Sequence, residues 1–352
     1  MPPFLQLTAP NPKILIRSVN WIGDAVMTTP AIAAVREHFP QAEITLLANP
    51  LVAQLFSPHA WVDRVITFDR TTSHKGISGR LRLAREIRRQ GFDLAIILPN
   101  SFDSALVPWL AGIPVRLGKR SDGRSLLLTH GYSDNNGMPG RHEVRYYLDL
   151  LAHFGISGST TAPHLVTTAL EDENAAALLA AHDIDAGSFV LGINPGATFG
   201  SAKRWYPERF AEVARRLAGE WQARVVIFGS PGETAIAAEI EQHLGGACLN
   251  MAGKTSVRDL MALIKRCDFF ITNDSGPMHI AAAFGVPLVA IFGPTDHTGT
   301  APYSDRAAVV RKDVACAPCK LRECPTDHCC MTAITADDVI TAALRLYQKV
   351  TP

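Results

Sequence analysis

The chain has 352 residues, 47% of them hydrophobic and 19% charged, with a formal net charge of +1. That composition builds large cores and excludes a disordered chain. A charge so near zero excludes a global field aimed at nucleic acid or membrane, so any basic site is local.

At about 100–200 residues per domain, two domains are expected. The opening run MPPFLQLTAPNPKILIRS lacks a charged start and is interrupted by Pro10 and Pro12, so it does not read as a secretory signal. No stretch approaches the roughly 20 apolar residues of a membrane span, and a cytoplasmic chain is expected. Seven cysteines, five of them between Cys316 and Cys330, do not resemble a disulfide scaffold in a chain this long.

The pattern is strand then helix, repeated. Strands are expected at Lys13–Ser18, Glu43–Ala48, Arg64–Phe68, Asp93–Leu98 and Val115–Leu117. Helices are expected through Ala25–His38, through Leu81–Gln90 with Leu81, Ala84 and Ile87 on one face, and through Ser101–Ala111. Near-continuous apolar strands between helices indicate a parallel sheet covered on both faces. Lys119–Arg141 reads as a long polar loop, a helix follows through Glu143–His153, and Gly155–Thr168 reads as the interdomain linker.

The rhythm then restarts. Strands are expected at Phe189–Ile193, Arg224–Phe228, Asp268–Thr272 and Pro287–Phe292, with a helix opened by Pro207 and another, Ala336–Tyr347, closing the chain. The fold class is therefore α/β with two Rossmann-like halves. Such sheets bind ligands beyond the carboxyl ends of their strands, so the site is expected in a cleft between the halves.

Several familiar motifs fail. No GxGxxG follows the first strand, and neither GxSxG nor HExxH occurs. Gly253-Lys254-Thr255 resembles the end of a P-loop but lacks the earlier glycine, since Cys248 stands there. Asp183-Ile184-Asp185 is a lone DxD, better read as a turn or cap.

Three motifs carry chemistry. WIGDAVMTTP (21–30) follows the first strand; Gly23 permits a tight turn and Asp24 stands at the helix start. A carboxylate there can accept a proton from an attacking hydroxyl, or simply cap the helix. NPGATFGSAKRWYPERF (194–210) brings Gly196, Thr198, Gly200, Ser201, Lys203 and Arg204 into one loop, and amides, a hydroxyl and a cation together suit a phosphate. NDSGPMHIAAAFGVP (273–287) offers Asp274 and Ser275 as caps and Gly276 for close approach. Its helix N-terminus, beginning near Pro277, favours a diphosphate, whereas His279, a turn further on, only packs or donates a hydrogen bond. Glu233, in FGSPGE, suits a ribose diol, and Gly293 and Thr295, in FGPTD, are placed to close over a sugar. For these two the bland alternatives are a solvated glutamate and a plain turn.

Together WIGDAVMTTP, LPNSFDSALVPWLAGIPVRLG (98–118), PGATFGSAKRW and NDSGPMHIAAAFGVPLVAIFGPT are similar to the signatures of the ADP-heptose:lipopolysaccharide heptosyltransferases, in that family's order. The resemblance covers nearly the whole chain and is greatest to the heptosyltransferase II branch. It implies a GT-B architecture: residues 1–160 an acceptor-binding domain, 170–335 an ADP-sugar-binding domain, and 336–352 a helix packing back on the N-terminal domain. It further implies a metal-independent, inverting transferase that needs no cofactor. The donor would be ADP-L-glycero-β-D-manno-heptose and the acceptor the first heptose of the inner core, on Kdo and lipid A, at the cytoplasmic face of the inner membrane.

By that resemblance Asp24 is the general base and Lys203 the phosphate-binding lysine, with Gly196, Thr198, Ser201, Glu233, Asp274, Ser275, Gly276, Pro277, His279, Gly293 and Thr295 on the donor. Gly23, Asn100, Ser101 and Arg120 fall to the acceptor. Basic residues of the first half, among them Arg80, Arg82, Arg85, Arg88, Arg89, Arg116, Lys119 and Arg124, are further candidates for an anionic acceptor or membrane contact. No nucleic-acid partner is expected. Finally, CAPCKLRECPTDHCC (316–330) can hold a structural zinc or iron–sulfur group through Cys316, Cys319, Cys324 and Cys330, or be a reduced patch that stabilises a loop. Rival readings are a transferase with another donor or acceptor, a nucleotide-sugar-binding module without turnover, and a nucleotide-sugar epimerase.

Overall fold

The computed structural model describes residues 7, 9–133 and 140–350. The chain divides into two units, with the boundary between Val166 and Thr167.

In the first unit six strands form one parallel sheet: β1 (Lys13–Arg17), β2 (Glu43–Ala48), β3 (Arg64–Thr67), β4 (Leu94–Ile97), β5 (Val115–Lys119) and β6 (His130–Tyr132). Their order is β3-β2-β1-β4-β5-β6. The central strands are buried on both faces, as their Val, Ile and Leu content demands. The second unit repeats the plan with β7 (Val190–Asn194), β8 (Arg224–Ile227), β9 (Leu249–Asn250), β10 (Phe269–Asn273), β11 (Leu288–Ile291) and β12 (Ala307–Val310), ordered β12-β11-β10-β7-β8-β9. Each sheet thus reverses direction once, between β1 and β4 and between β7 and β10, and ligands of doubly wound sheets bind at such switch points.

The expected long loop 119–141 contains β6 and a short 3-10 turn, Arg124–Leu127; its stretch 134–139, like residues 1–6 and 8 of the opening run, lies outside the described residues. The stretch read as a linker is tied to the first unit. Glu37 accepts from Ser159 N at 2.6 Å and from the hydroxyls of Ser159 and Thr160, and His164 N donates to Thr29 at 3.0 Å. The closing helix, Ala336–Val350, expected to pack back on the first domain, is part of the second unit. Its apolar face, Val339, Ile340, Ala343 and Leu346, is buried in the core of the second unit with Leu191, Phe210 and Val289. The helix over Leu81–Gln90 starts earlier, at Gly76; Ala84 and Ile87 are buried as expected, Leu83 joins them, and Leu81 is 37% exposed. No described helix is long and apolar enough to cross a membrane.

Candidate active site

At the switch point of the second unit, the side chains of Asn194 and Asn273, the last residues of β7 and β10, cross-link the two loops that follow them. Asn194 Nδ2 donates to Ser275 Oγ at 3.0 Å, and Asn273 Nδ2 donates to the Pro195 carbonyl at 2.6 Å while its Oδ1 accepts from Trp205 N. Both asparagines are buried, so this is a fixed frame rather than a flexible loop. Lys203 stands in a short 3-10 turn, Ser201–Lys203, and its Nζ lies 2.5 Å from Asp274 Oδ2. Thr295 Oγ1 donates to the same oxygen at 2.6 Å. The side chains of Lys203 and Asp274 are only 13% and 5% exposed. Thr198 and Ser201 are exposed on the rim of this loop.

The helix Gly276–Ala283 begins beside this trio. Ser275 holds the N-cap position but makes no capping hydrogen bond, and Asp274 is taken by Lys203 and Thr295. The expected capping by these two side chains is therefore absent, and the first amides of the helix keep their donors for another acceptor. Pro277, the second helical residue, has no N–H to offer, and His279 is buried. Glu233 is not a solvated glutamate. It is 5% exposed and its Oε2 accepts from Ser230 N and Oγ at 2.7 and 2.8 Å in a capping box. A Cβ at Gly196 would collide with this carboxylate, so that glycine serves close approach rather than loop flexibility. Gly293 does likewise: a Cβ there would stand 2.9 Å from Met331 Cε and 3.1 Å from Cys330 Sγ.

Of the two readings of the cysteine-rich segment, a metal site or a patch that stabilises a loop, the contacts favour the second. Cys330 is buried against Gly293, Cys316 Sγ faces Cys329 Sγ at 3.5 Å, and Cys324 Sγ contacts Thr326. Among the described residues no three His, Cys, Asp or Glu side chains converge on a point that could hold an ion. The segment instead buttresses the Lys203 loop. The Arg322 carbonyl accepts from Ala202 N at 3.0 Å, His328 Nε2 meets the Ala202 carbonyl at 2.7 Å, and Lys320 N donates to Pro294 O at 2.7 Å. Gly200 has an extended φ and is glycine because a Cβ would strike the Arg322 carbonyl. Gly200→Ala is expected to push loop and segment apart at a cost of about 1–3 kcal/mol, the range for overpacking, seen as a lowered midpoint in urea and weaker binding of any ligand held by Lys203.

In the first unit Asp24 is the third residue of the helix Ile22–Met27, whose N-cap is Trp21, so Asp24 is not a cap. Gly23 and Asp24 are half-buried. No motif marks their neighbours on the helix Glu143–Ala152. Glu143's carboxyl is pushed up first by burial and then by the charge of Asp24, and burial followed by Asp24 likewise pushes up Tyr147. On the loop after β4, Asn100 Oδ1 accepts from Tyr146 Oη at 2.8 Å and its carbonyl accepts from Ser121. Ser101 caps nothing with its side chain; its carbonyl accepts from Ser104 and Arg124. Arg124 is fully buried and knots the carbonyls of Pro99, Ser101 and Lys119, which removes it from the acceptor candidates. Arg88 and Arg116 are similarly spent on backbone carbonyls, and Arg80 is paired with Asp103. Arg120 is exposed and folds across Gly131. Asp185 closes an Asx turn onto Gly187 and Ser188, as expected of the lone DxD.

Residues 80–330 match the model of glycosyltransferase family 9 (heptosyltransferase). The chain belongs to this family. A lipopolysaccharide heptosyltransferase 2 of Salmonella typhimurium is 34% identical over 308 residues, 85% of this chain and 88% of the relative. The solved Escherichia coli ADP-heptose lps heptosyltransferase II is 30% identical with a TM-score of 0.79, over 96% of this chain and 99% of that one. A family 9 glycosyltransferase from Veillonella parvula is 26% identical with a TM-score of 0.88, over 98% and 99%. This family 9 member is thus a glycosyltransferase of the GT-B fold class, and its conspicuous loops fall at the two switch points of its sheets.

Proposed function

We propose that this enzyme transfers L-glycero-D-manno-heptose from ADP-heptose to the first heptose of the lipopolysaccharide inner core, with inversion at the anomeric carbon. The observation that carries the donor half is the Lys203–Asp274–Thr295 trio beside the uncapped start of Gly276–Ala283. A fixed cation, hydroxyls and free amides meet the charge that grows on a departing ADP diphosphate, and they do so without reorganising. Glu233 offers Oε1, the oxygen not taken by Ser230, to the ribose diol. The names of the Salmonella and E. coli relatives support an ADP-heptose donor and a lipopolysaccharide acceptor.

In the acceptor half Asp24 takes the proton of the attacking hydroxyl as that oxygen bonds to the anomeric carbon and the carbon–phosphate oxygen bond breaks, releasing ADP. Gly23, Asn100, Ser101 and Arg120 are assigned to the acceptor. The positive charge is supplied by side chain and backbone, so turnover is expected to persist in chelator. The acceptor is lipid-linked, so the enzyme works at the cytoplasmic face of the inner membrane as a peripheral protein.

The test is ADP release from ADP-heptose in EDTA, with and without a purified heptosyl-Kdo-lipid A acceptor. Release that depends on acceptor, with the acceptor gaining the mass of one heptose, is expected. Binding of ADP without transfer to this acceptor would move the reading to a different acceptor or to a binding-only protein, and donor conversion without any acceptor would make it an epimerase.

A further inference from the structure

We propose that Arg322, carried by the cysteine-rich segment, is a second cation for the donor diphosphate. The inference rests on the donor-site reading above and extends it to a residue outside the motifs that suggested it.

Lys203 is already matched by Asp274 at 2.5 Å, so the pair is neutral overall. A nucleoside diphosphate carries more than one negative charge, and a helix N-terminus contributes only about half a positive charge. The loop's other cation, Arg204, is turned inward: its Nη2 reaches the Ala197 carbonyl at 3.4 Å and its Nε is buried. A further full charge is needed at the surface of the loop.

Arg322 meets that need. Its guanidinium carbon lies 5.2 Å from the centre of the Phe199 ring, and Lys203 Nζ lies 4.9 Å from the same centre. Two cations on one ring attract its face but repel each other. An anion that contacts both relieves the repulsion, and guanidinium presents a planar fork suited to phosphate oxygens. Among the described residues Arg322 forms no ion pair, and its side chain is exposed, so its charge is available. Its backbone, by contrast, is fixed. The carbonyl accepts from Ala202 N, one residue before Lys203, and the absence of a side chain at Gly200 lets the two backbones touch. The segment therefore holds Arg322 in register with the loop whatever its side chain does.

The experiment is titration calorimetry on the full chain with ADP and with adenosine, at two salt concentrations, for wild type, Arg322→Ala and Arg322→Lys. Alanine keeps the carbonyl anchor and removes only the charged fork. Arg322→Ala is expected to weaken ADP about tenfold, the scale of one charge-assisted contact, to leave adenosine unchanged, and to flatten the salt dependence. Arg322→Lys is expected to recover part of the loss. Arg322→Ala that binds ADP within twofold of wild type would overturn the proposal, and so would equal weakening of ADP and adenosine, which would mark a loosened loop. Wild type that binds no ADP at all would instead overturn the donor-site reading itself, and this inference with it.

Discussion

Lys203→Met is expected to abolish ADP binding and also to destabilise the second unit by about 3–5 kcal/mol, the cost of stranding one partner of a buried ion pair. The size follows from burial. Asp274 is 5% exposed, and without Lys203 its charge would keep only the Thr295 hydroxyl from this trio. Water cannot replace the ammonium at a carboxylate so enclosed. The two effects separate in the double variant Lys203→Met/Asp274→Asn. Removing both charges restores much of the stability, because a neutral amide leaves no buried ion, yet it restores no ADP affinity. Urea midpoints and calorimetry on the three proteins check this. A single variant as stable as wild type would show that the pair is worth no more than an exposed one. A double variant that regains ADP binding would remove Lys203 from the donor site.

The parts of this molecule that were legible in its sequence share a physical cause. β1, β2, β4, β7, β10 and β11 lie inside their sheets, and burial on both faces writes an apolar run into the chain. β6, β9 and β12 lie at sheet edges or are two to four residues long and partly exposed, so nothing in their composition marks them. The motif positions were legible because small residues and caps cluster where strands hand over to helices. Their pairings were not. Lys203 meets Asp274 because β7 and β10 are neighbours in the sheet, and Thr295 reaches Asp274 because β11 lies next to β10. Gly196 and Gly200 read as a pliable loop, but each is glycine because another group presses against it, Glu233 in one case and the Arg322 carbonyl in the other. The cysteines drew attention to their sulfur, while the segment acts on the Lys203 loop mainly through backbone carbonyls and His328, which carry no sequence signature as a set.

Asp24→Asn is expected to lower turnover by about 10²–10⁴-fold, the usual share of a general base, while leaving ADP affinity at the wild-type value. The substitution keeps the size of the side chain and its place in the first turn of Ile22–Met27, so the fold is not at stake. The rival for the same duty is Glu143, whose carboxyl is held up by burial and by the charge of Asp24, with Arg141 and Lys119 pulling the other way. Coupling of this kind makes a specific demand. With Asp24 neutral, the like charge is gone, and the pKa of Glu143 falls towards the ordinary carboxylate value, though burial still keeps it above. A carboxyl that titrates lower is a weaker base, so Glu143 does not rescue Asp24→Asn at neutral pH. Glu143→Gln, which leaves the Asp24 carboxylate in place, is expected to lose far less activity. The kcat of the two variants, read with an NMR titration of Glu143 in Asp24→Asn, decides between the two carboxylates. If Glu143→Gln proved the more damaging, Glu143 would be the base and Asp24 the charge that tunes it.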